Sequence, residues 1–261
     1  MGKFDGYLLM SDFDGTLAWK GTISRENCEA IRYFQSEGGL FSICSGRFRK
    51  WLLEWQDYIQ PNTWCAMLNG ALICDRMGEN AVVNQPMDED FLEVASRIMQ
   101  ACPHLERVRL VDYDKYTEWL QGEPLSKIRV GHPGYKMVFL TPDEYSDEYT
   151  EAITALVGER YVVMRSWING IEVQKRGTGK GEAVRHMRLL HGDRVHTVIA
   201  AGDYENDLDM IREADIGYAV GNAIASLKAL ADRVTVPASE HAIARIIADI
   251  EQGFPVYSCK V

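Results

Sequence analysis

Four short segments, far apart in this chain of 261 residues, carry the carboxylates, hydroxyl and lysine of a phosphoryl-transfer site. The first is Asp12-Phe13-Asp14-Gly15-Thr16-Leu17, after the apolar run Tyr7 to Met10. The second is Ser45-Gly46-Arg47, after Leu40 to Cys44. The third is Lys180 in Gly177-Thr178-Gly179-Lys180-Gly181, and the fourth is Gly202-Asp203-Tyr204-Glu205-Asn206-Asp207, after Val198 to Ala201. A carboxylate is a poor nucleophile in water. Beside a phosphate, with a metal neutralising both, it can form an aspartyl-phosphate. Asp12 is the candidate nucleophile. Asp14, two residues on, can protonate the leaving oxygen and then activate water against the acyl-phosphate. Gly15 permits a tight turn. Asp12, Asp14, Asp203 and Asp207 contribute about −4 if ionised and Lys180 returns about +1, an imbalance that calls for large pKa shifts or a bound cation. Mg²⁺ takes one or two carboxylates plus phosphate and water. It would hold Asp12 and the phosphate together with Asp203 as a ligand, while Lys180 and Ser45 hold phosphate oxygens.

These groups need a scaffold. Three of the four segments follow a run that reads as a buried parallel strand, and in open α/β sheets ligands bind beyond the carboxyl ends of such strands. Ser24 predicts the cap of a helix carrying Ile31 and Phe34, stopped at Gly38-Gly39. A helix is expected from Phe48 to Ile59, ended by Pro61, then a strand Trp64 to Leu68, a turn at Asn69-Gly70 and a strand Ala71 to Cys74. The middle changes character. A helix Asp88 to Ala101, strands near Arg107 to Val111 and Tyr135 to Leu140, a helix from Pro142 to Val157, and strands Tyr161 to Arg165 and Ile171 to Gln174 predict an α+β insertion with a largely antiparallel sheet. From Gly177 the α/β alternation resumes. It has a helix Lys180 to Leu190, a strand Val195 to Ala201, a short helix with Leu208 and Ile211, late strands Ile216 to Val220 and Val234 to Val236, and a last helix capped by Ser239. The expected fold is a Rossmann-like doubly wound parallel sheet built from residues 1–83 and 176–261. An α+β cap domain, residues 84–175, is inserted between the two segments.

Composition narrows the partners. Lys and Arg number 28 against 38 Asp and Glu, a net charge of −10. That argues against a nucleic-acid or anionic-membrane surface but not against a phosphorylated substrate, since a metal overrides the sign locally. The cysteines at 28, 44, 65, 74, 102 and 259 include no Cys-x-x-Cys and fall largely in apolar runs, as reduced core thiols do. No run reaches the length of a membrane span, and Met1 to Gly6 carries no signal-peptide pattern. Gly6 stands where a myristoylation signal needs Ser or Thr, and Cys259, third from the end, cannot form a prenylation box. A cytoplasmic protein is expected, with its oligomeric state open.

The four segments resemble the motifs of the haloacid dehalogenase superfamily. Asp12 to Leu17 matches D-x-D-G-T-[LV], Ser45-Gly46-Arg47 the second motif, Lys180 the third, and Gly202 to Asp207 the fourth, G-D-x-x-N-D. Leu68-Asn69-Gly70-Ala71, Lys180-Gly181 and Val220-Gly221-Asn222-Ala223 resemble the Cof-like sugar-phosphatase branch, which has an inserted type C2 (IIB) cap. Ser45 stands where Thr is commoner and still supplies the hydroxyl. The resemblance implies that Asp14 also ligates Mg²⁺ through its backbone carbonyl and that Asp207 ligates it directly or through water. It further implies that Ser45-Gly46 and Lys180 bind phosphate, and that Asn206 orients Lys180 or the phosphate. The expected activity is Mg²⁺-dependent hydrolysis of a small phosphorylated metabolite, a sugar phosphate first among them.

Each residue also has a plainer reading. Asp-x-Asp-Gly alone occurs in surface turns and calcium loops. Gly177 to Gly181 is no P-loop, because Gln174 stands where the first Gly belongs and Gly181 where Ser or Thr belongs. Arg47 could bind substrate or pair with a carboxylate. Asn222 reads as a turn residue, and the tryptophans at 51, 55, 64 and 119 as packing. In the cap, Arg165, Trp167 and Asn169 form the hairpin expected to touch substrate. Two further functions fit the same core: phosphoryl transfer to another acceptor, as in a phosphomutase, and a non-catalytic phospho-ligand sensor, against which Asp12 and Asp14 both count.

Overall fold

Apolar runs with side chains alternating between two faces build a central sheet covered on both sides. The structure, a computed structural model, describes residues 2–55, 57–130 and 133–254. In chain order its first elements are β1 (Tyr7–Ser11), β2 (Ala18–Trp19), β3 (Thr22–Ile23), α1 (Arg25–Ser36), β4 (Leu40–Ile43), α2 (Arg49–Leu53), β5 (Cys65–Met67), β6 (Leu72–Cys74) and β7 (Ala81–Asn84). Then come α3 (Phe91–Ala101), β8 (Arg107–Val111), β9 (Tyr116–Leu120), β10 (Lys136–Leu140), α4 (Ser146–Val157), β11 (Tyr161–Trp167) and β12 (Gly170–Lys175). The chain closes with α5 (Lys180–His191), β13 (Thr197–Gly202), α6 (Leu208–Glu213), β14 (Ile216–Ala219), α7 (Ala225–Leu230), β15 (Arg233–Val234) and α8 (Ala242–Glu251). The parallel sheet has the order β15-β14-β13-β1-β4. Leu9 packs with Ile31 and Phe34 of α1 and Ile243 and Ile246 of α8, while Leu8 and Met10 pack with Val184 and Met187 of α5 and Met210 of α6. The strand alternation thus selects the helix layer on each face, as a doubly wound fold requires.

The second sheet, β11-β12-β10-β8-β9, is antiparallel throughout. One face buries Leu110, Met137, Phe139, Ile171 and Val173 against Phe91 and Ile98 of α3 and Ile153 of α4. The residues between these, including Arg109, Lys136, Val138, Glu172 and Gln174, therefore point to the opposite face. That face meets the loops at the carboxyl ends of the parallel strands. Joining the two sheets is a small antiparallel one of β5, β6 and β7, and a parallel bridge from Cys44 to Ala66 ties it to the end of β4.

The structure departs from the local expectations in several places. The helix expected to run to Ile59 stops at Leu53, where the hydrogen bonds tighten to three-residue turns, Glu54 to Trp51 and Trp55 to Leu52. The last helix starts at Ala242 behind His241 in the left-handed region, and Ser239 sits in the preceding 3-10 turn. Its cap comes from afar: buried Asn27 of α1 accepts the Ala244 N–H through Oδ1 at 3.0 Å. β9 was not foreseen, because Thr117 and Glu118 give it no apolar run. The β2–β3 hairpin, turned through Lys20 and Gly21 at positive φ, was also not foreseen. Asn69-Gly70 does link two antiparallel strands, but as a buried turn with Leu68, Asn69 and Gly70 all at positive φ. Five cysteines are free and buried; Cys259 lies outside the described residues. No helix among those residues is long and apolar enough to cross a membrane.

Candidate active site

The ends of β1, β4 and β13 bring the motifs to one edge. Asp12 leaves β1 with its N–H still donating to the Ala201 carbonyl at 2.9 Å, and Ser45 leaves β4 with its N–H on the Ala66 carbonyl at 2.8 Å. Lys180 opens α5, and its ammonium donates to Asp12 Oδ1 and to Asp207 Oδ1, each at 2.6 Å. All three are buried. The other Asp207 oxygen accepts the N–H groups of Asp203, at 2.9 Å, and Tyr204, at 3.1 Å, so Asp207 fixes both the lysine and its own loop. Thr16 donates to Asp203 Oδ1 at 3.2 Å. Gly15 has φ +80°, and a Cβ there would stand 2.5 Å from Asp203 Oδ2, so conformation and space both demand glycine. Asn222 is structural: it donates to the Gly15 carbonyl and accepts from the Ala238 N–H, both at 2.8 Å.

The acids crowd one another. One oxygen each from Asp12, Asp203 and Asp207 lies within 4.8 Å of the others. Burial pushes the Asp12 carboxyl up, Asp207 and Asp203 add to this, and Lys180 opposes it. Burial and then Asp207 push Asp203 up to about 7. Burial works against the Lys180 charge, but Asp12 and Asp207 outweigh it and hold the lysine well above its usual range. A close, all-oxygen donor set, with the Asp12 and Asp203 carboxyls both pushed up, fits a hard divalent cation such as Mg²⁺.

Asp14 is turned away from this cluster. Arg47 grips it at both oxygens, Nε–Oδ2 at 2.8 Å and Nη2–Oδ1 at 2.9 Å, and stacks over the Trp51 ring. Of the two roles open to Arg47 in the sequence, pairing with a carboxylate is the one seen here. Ser45 Oγ accepts the Arg47 N–H at 3.2 Å. Asn206 donates to Asn69 Oδ1 at 3.4 Å, and the Lys180 ammonium donates to Asp12 and Asp207 instead of to the Asn206 amide oxygen.

A cavity of about 380 Å³ lies between the motifs and the open face of the second sheet. Asp12, Asp14, Ser45, Gly46, Arg47, Asp203 and Asn206 line the lower side, while Arg109, Tyr116, Lys136, Ser166, Trp167 and Glu172 line the upper. Of the three cap residues expected at the substrate, Trp167 is on the wall. Arg165 and Asn169 are not among the lining residues. The Arg165 guanidinium is held by Glu205, with Nη2–Oε1 at 2.5 Å, and by Asp147 at 2.7 Å, so it ties the second sheet to the Asp203 loop. Asn169 accepts the Thr141 N–H at its carbonyl.

Several wall residues escaped the sequence reading. Lys136 Nζ donates to Glu172 Oε1 at 2.7 Å, and Asn69 Nδ2 donates to Glu172 Oε2 and Gln174 Oε1, both at 2.6 Å. A signal was present at Lys136, the one charge in the otherwise apolar β10, since a lysine is seldom buried without a partner.

The sequence model of a family described as haloacid dehalogenase-like hydrolase matches residues 9–117 and 104–247. A 5-amino-6-(5-phospho-D-ribitylamino)uracil phosphatase of Bacillus subtilis is 28% identical over 242 residues, covering 92% of this chain and 94% of the relative. A phosphoglycolate phosphatase of Staphylothermus marinus is 28% identical over 253 residues, covering 92% and 95%. Among solved structures, a subclass IIB sugar phosphatase of the same superfamily superposes with a TM-score of 0.77 at 21% identity, over 95% of this chain and 99% of that one.

Proposed function

The chain belongs to the haloacid dehalogenase-like hydrolase family, in its Cof-like phosphatase branch, and from that premise we propose that it is a Mg²⁺-dependent phosphomonoesterase acting through an aspartyl-phosphate on Asp12. The substrate class is a small phosphorylated metabolite, with sugar phosphates the leading members. The observation that carries this reading is the placement of Asp12. Its carboxylate is buried at the strand edge, one oxygen held by Lys180, and opens on a cavity large enough for a phosphate ester.

Asp12, Asp203 and Asp207 are the residues that would hold the metal, with the Asp14 carbonyl as a further ligand. When bound, Mg²⁺ neutralises charge on the phosphate oxygens and lowers the repulsion between them and the attacking carboxylate. The chain's own groups do the rest. Lys180 and Ser45 position the phosphoryl oxygens. The Asp12 carboxylate attacks phosphorus and the ester P–O bond breaks. Asp14, once released from Arg47, takes up a proton from solvent and passes it to the leaving oxygen. It then takes a proton from water as that water attacks phosphorus, which expels phosphate and restores Asp12. Arg47, freed from Asp14, becomes available to an anionic oxygen of the substrate.

Residues 84–175 form the cap in this reading, with 1–83 and 176–261 as the core. Closure removes bulk water from the reacting groups and brings Trp167 against the leaving group. Borohydride added during turnover should reduce the acyl-phosphate and leave homoserine at position 12 in the digested protein. Homoserine at another aspartate, or none, would refute the covalent route.

A further inference from the structure

The upper wall of the cavity holds an ammonium and a hydroxyl whose hydrogen bonds are incomplete. Lys136 on β10 is 5% exposed, and Glu172 on the neighbouring β12 is 1% exposed. Glu172 uses one oxygen for Lys136 and the other for Asn69. Among the described residues Glu172 is the one recorded hydrogen-bond partner of Lys136, although an ammonium carries three donors. A buried donor left unpaired is costly, so the remaining N–H groups call for an acceptor in the cavity that Lys136 lines. Ser166 supplies an independent observation. Its Oγ is buried without a hydrogen-bond partner, and the residue lines the same cavity. It occupies the β-bulge where β11 shifts register between Arg165 and Trp167, a distortion that re-aims a side chain.

The position of these groups defines what they can bind. A Cβ on Gly46 would stand 3.1 Å from Lys136 Nζ, so the ammonium sits directly above the Ser45–Arg47 phosphate loop. It therefore reaches atoms next to the ester, not the far end of a long substrate. The adjacent Glu172 carboxylate cancels its charge, which favours a neutral hydroxyl over a second anion. We propose that Lys136 Nζ and Ser166 Oγ form an oxygen-binding subsite that selects phosphomonoesters with a hydroxyl on the carbon next to the ester carbon, as in polyol phosphates and sugar 1-phosphates. This rests on the phosphatase reading above and adds to it the feature of the leaving group that is read.

Two compounds isolate that hydroxyl: glycerol 3-phosphate and 3-hydroxypropyl phosphate, which differ in that one oxygen. Both are measured as competitors of p-nitrophenyl phosphate hydrolysis, so affinity is read even where turnover is slow. The wild-type enzyme should bind glycerol 3-phosphate about tenfold or more tightly than its deoxy counterpart. Lys136→Met should bring the ratio to within about twofold, and Ser166→Ala should lower it part of the way. Because Lys136→Met strands Glu172, the neutral pair Lys136→Met/Glu172→Gln is made as well and should give the same collapse. A wild-type ratio near one, no competition by glycerol 3-phosphate, or an unchanged ratio in the double variant would overturn the subsite. Equal weakening of both compounds would also overturn it, by assigning Lys136 to the phosphate itself. A protein without p-nitrophenyl phosphate turnover would instead refute the phosphatase reading, and the subsite with it.

Discussion

Lys180 is the residue on which the site turns. It is an ammonium with no exposed side-chain surface, and it pairs with two buried carboxylates at once. Removing one partner of a buried ion pair leaves uncompensated charge, at a cost of about 3–5 kcal/mol. Lys180→Met should therefore lose stability on that scale in urea denaturation with EDTA present, as well as losing turnover. Mg²⁺ should restore part of the stability, because a cation can replace the missing charge among Asp12, Asp203 and Asp207. A variant as stable as wild type without metal would mean that the acids are already protonated and that the lysine does not hold them. At this scale much of the site could be read from the sequence. Asp12, Lys180, Asp203 and Asp207 are near neighbours, as their types and charge count required. The orientation of Asp14 could not be read, since which carboxylate Arg47 grips depends on how two loops face each other in space. The Lys136–Glu172 pair depends on space in the same way: the two lie on different strands, β10 and β12, and only the antiparallel register sets them side by side.

Among the elements, β11 separates two functions that the sequence reading had joined. Arg165 and Trp167 belong to one strand, yet the bulge between them sends one to Glu205 and the other to the cavity wall. Trp167 is further fixed by packing across the hairpin on Gly170, where any Cβ would collide with its ring. The two should fail differently. Trp167→Ala should lower kcat/KM for the best sugar phosphate at least about tenfold more than for p-nitrophenyl phosphate, since it removes a leaving-group contact. Arg165→Ala should lower both substrates by similar factors, because it loosens the cap over the Asp203 loop. Matching profiles for the two variants would contradict this division. Strands with continuous apolar runs, β1, β4 and β13, announced themselves in the sequence. β9, with its polar residues, and α8, capped by Asn27 more than two hundred residues away, depend on tertiary partners that no local window contains.

For the whole molecule, metal binding and folding are linked through the acidic cluster. Asp203 has a folded-state value near 7, raised by burial and by Asp207. A group raised in this way binds its proton more tightly when folded. Its contribution is favourable below the unfolded value, about 4, and is lost as pH rises through about 7. Mg²⁺ requires the ionised ligand, so the gap in stability between metal-loaded and metal-free protein should widen from pH 5 to pH 7.5. A gap independent of pH would place the metal elsewhere. The buried thiols give a second global check. Burial raises Cys44 and Cys74 to about 12, so the five described cysteines should resist thiol reagents at pH 8 until the protein unfolds.

Phosphate release is the most direct test of the central claim, that Asp12 with a bound divalent cation hydrolyses phosphomonoesters. Turnover of a panel of sugar phosphates and p-nitrophenyl phosphate would be followed for wild-type protein in Mg²⁺, after exhaustive chelation, and after Mg²⁺ is returned, with folded Asp12→Asn alongside. Activity should vanish on chelation, return with Mg²⁺, and fall by about 10⁴-fold or more in Asp12→Asn. Full activity without metal, or near wild-type turnover by Asp12→Asn, would contradict the account.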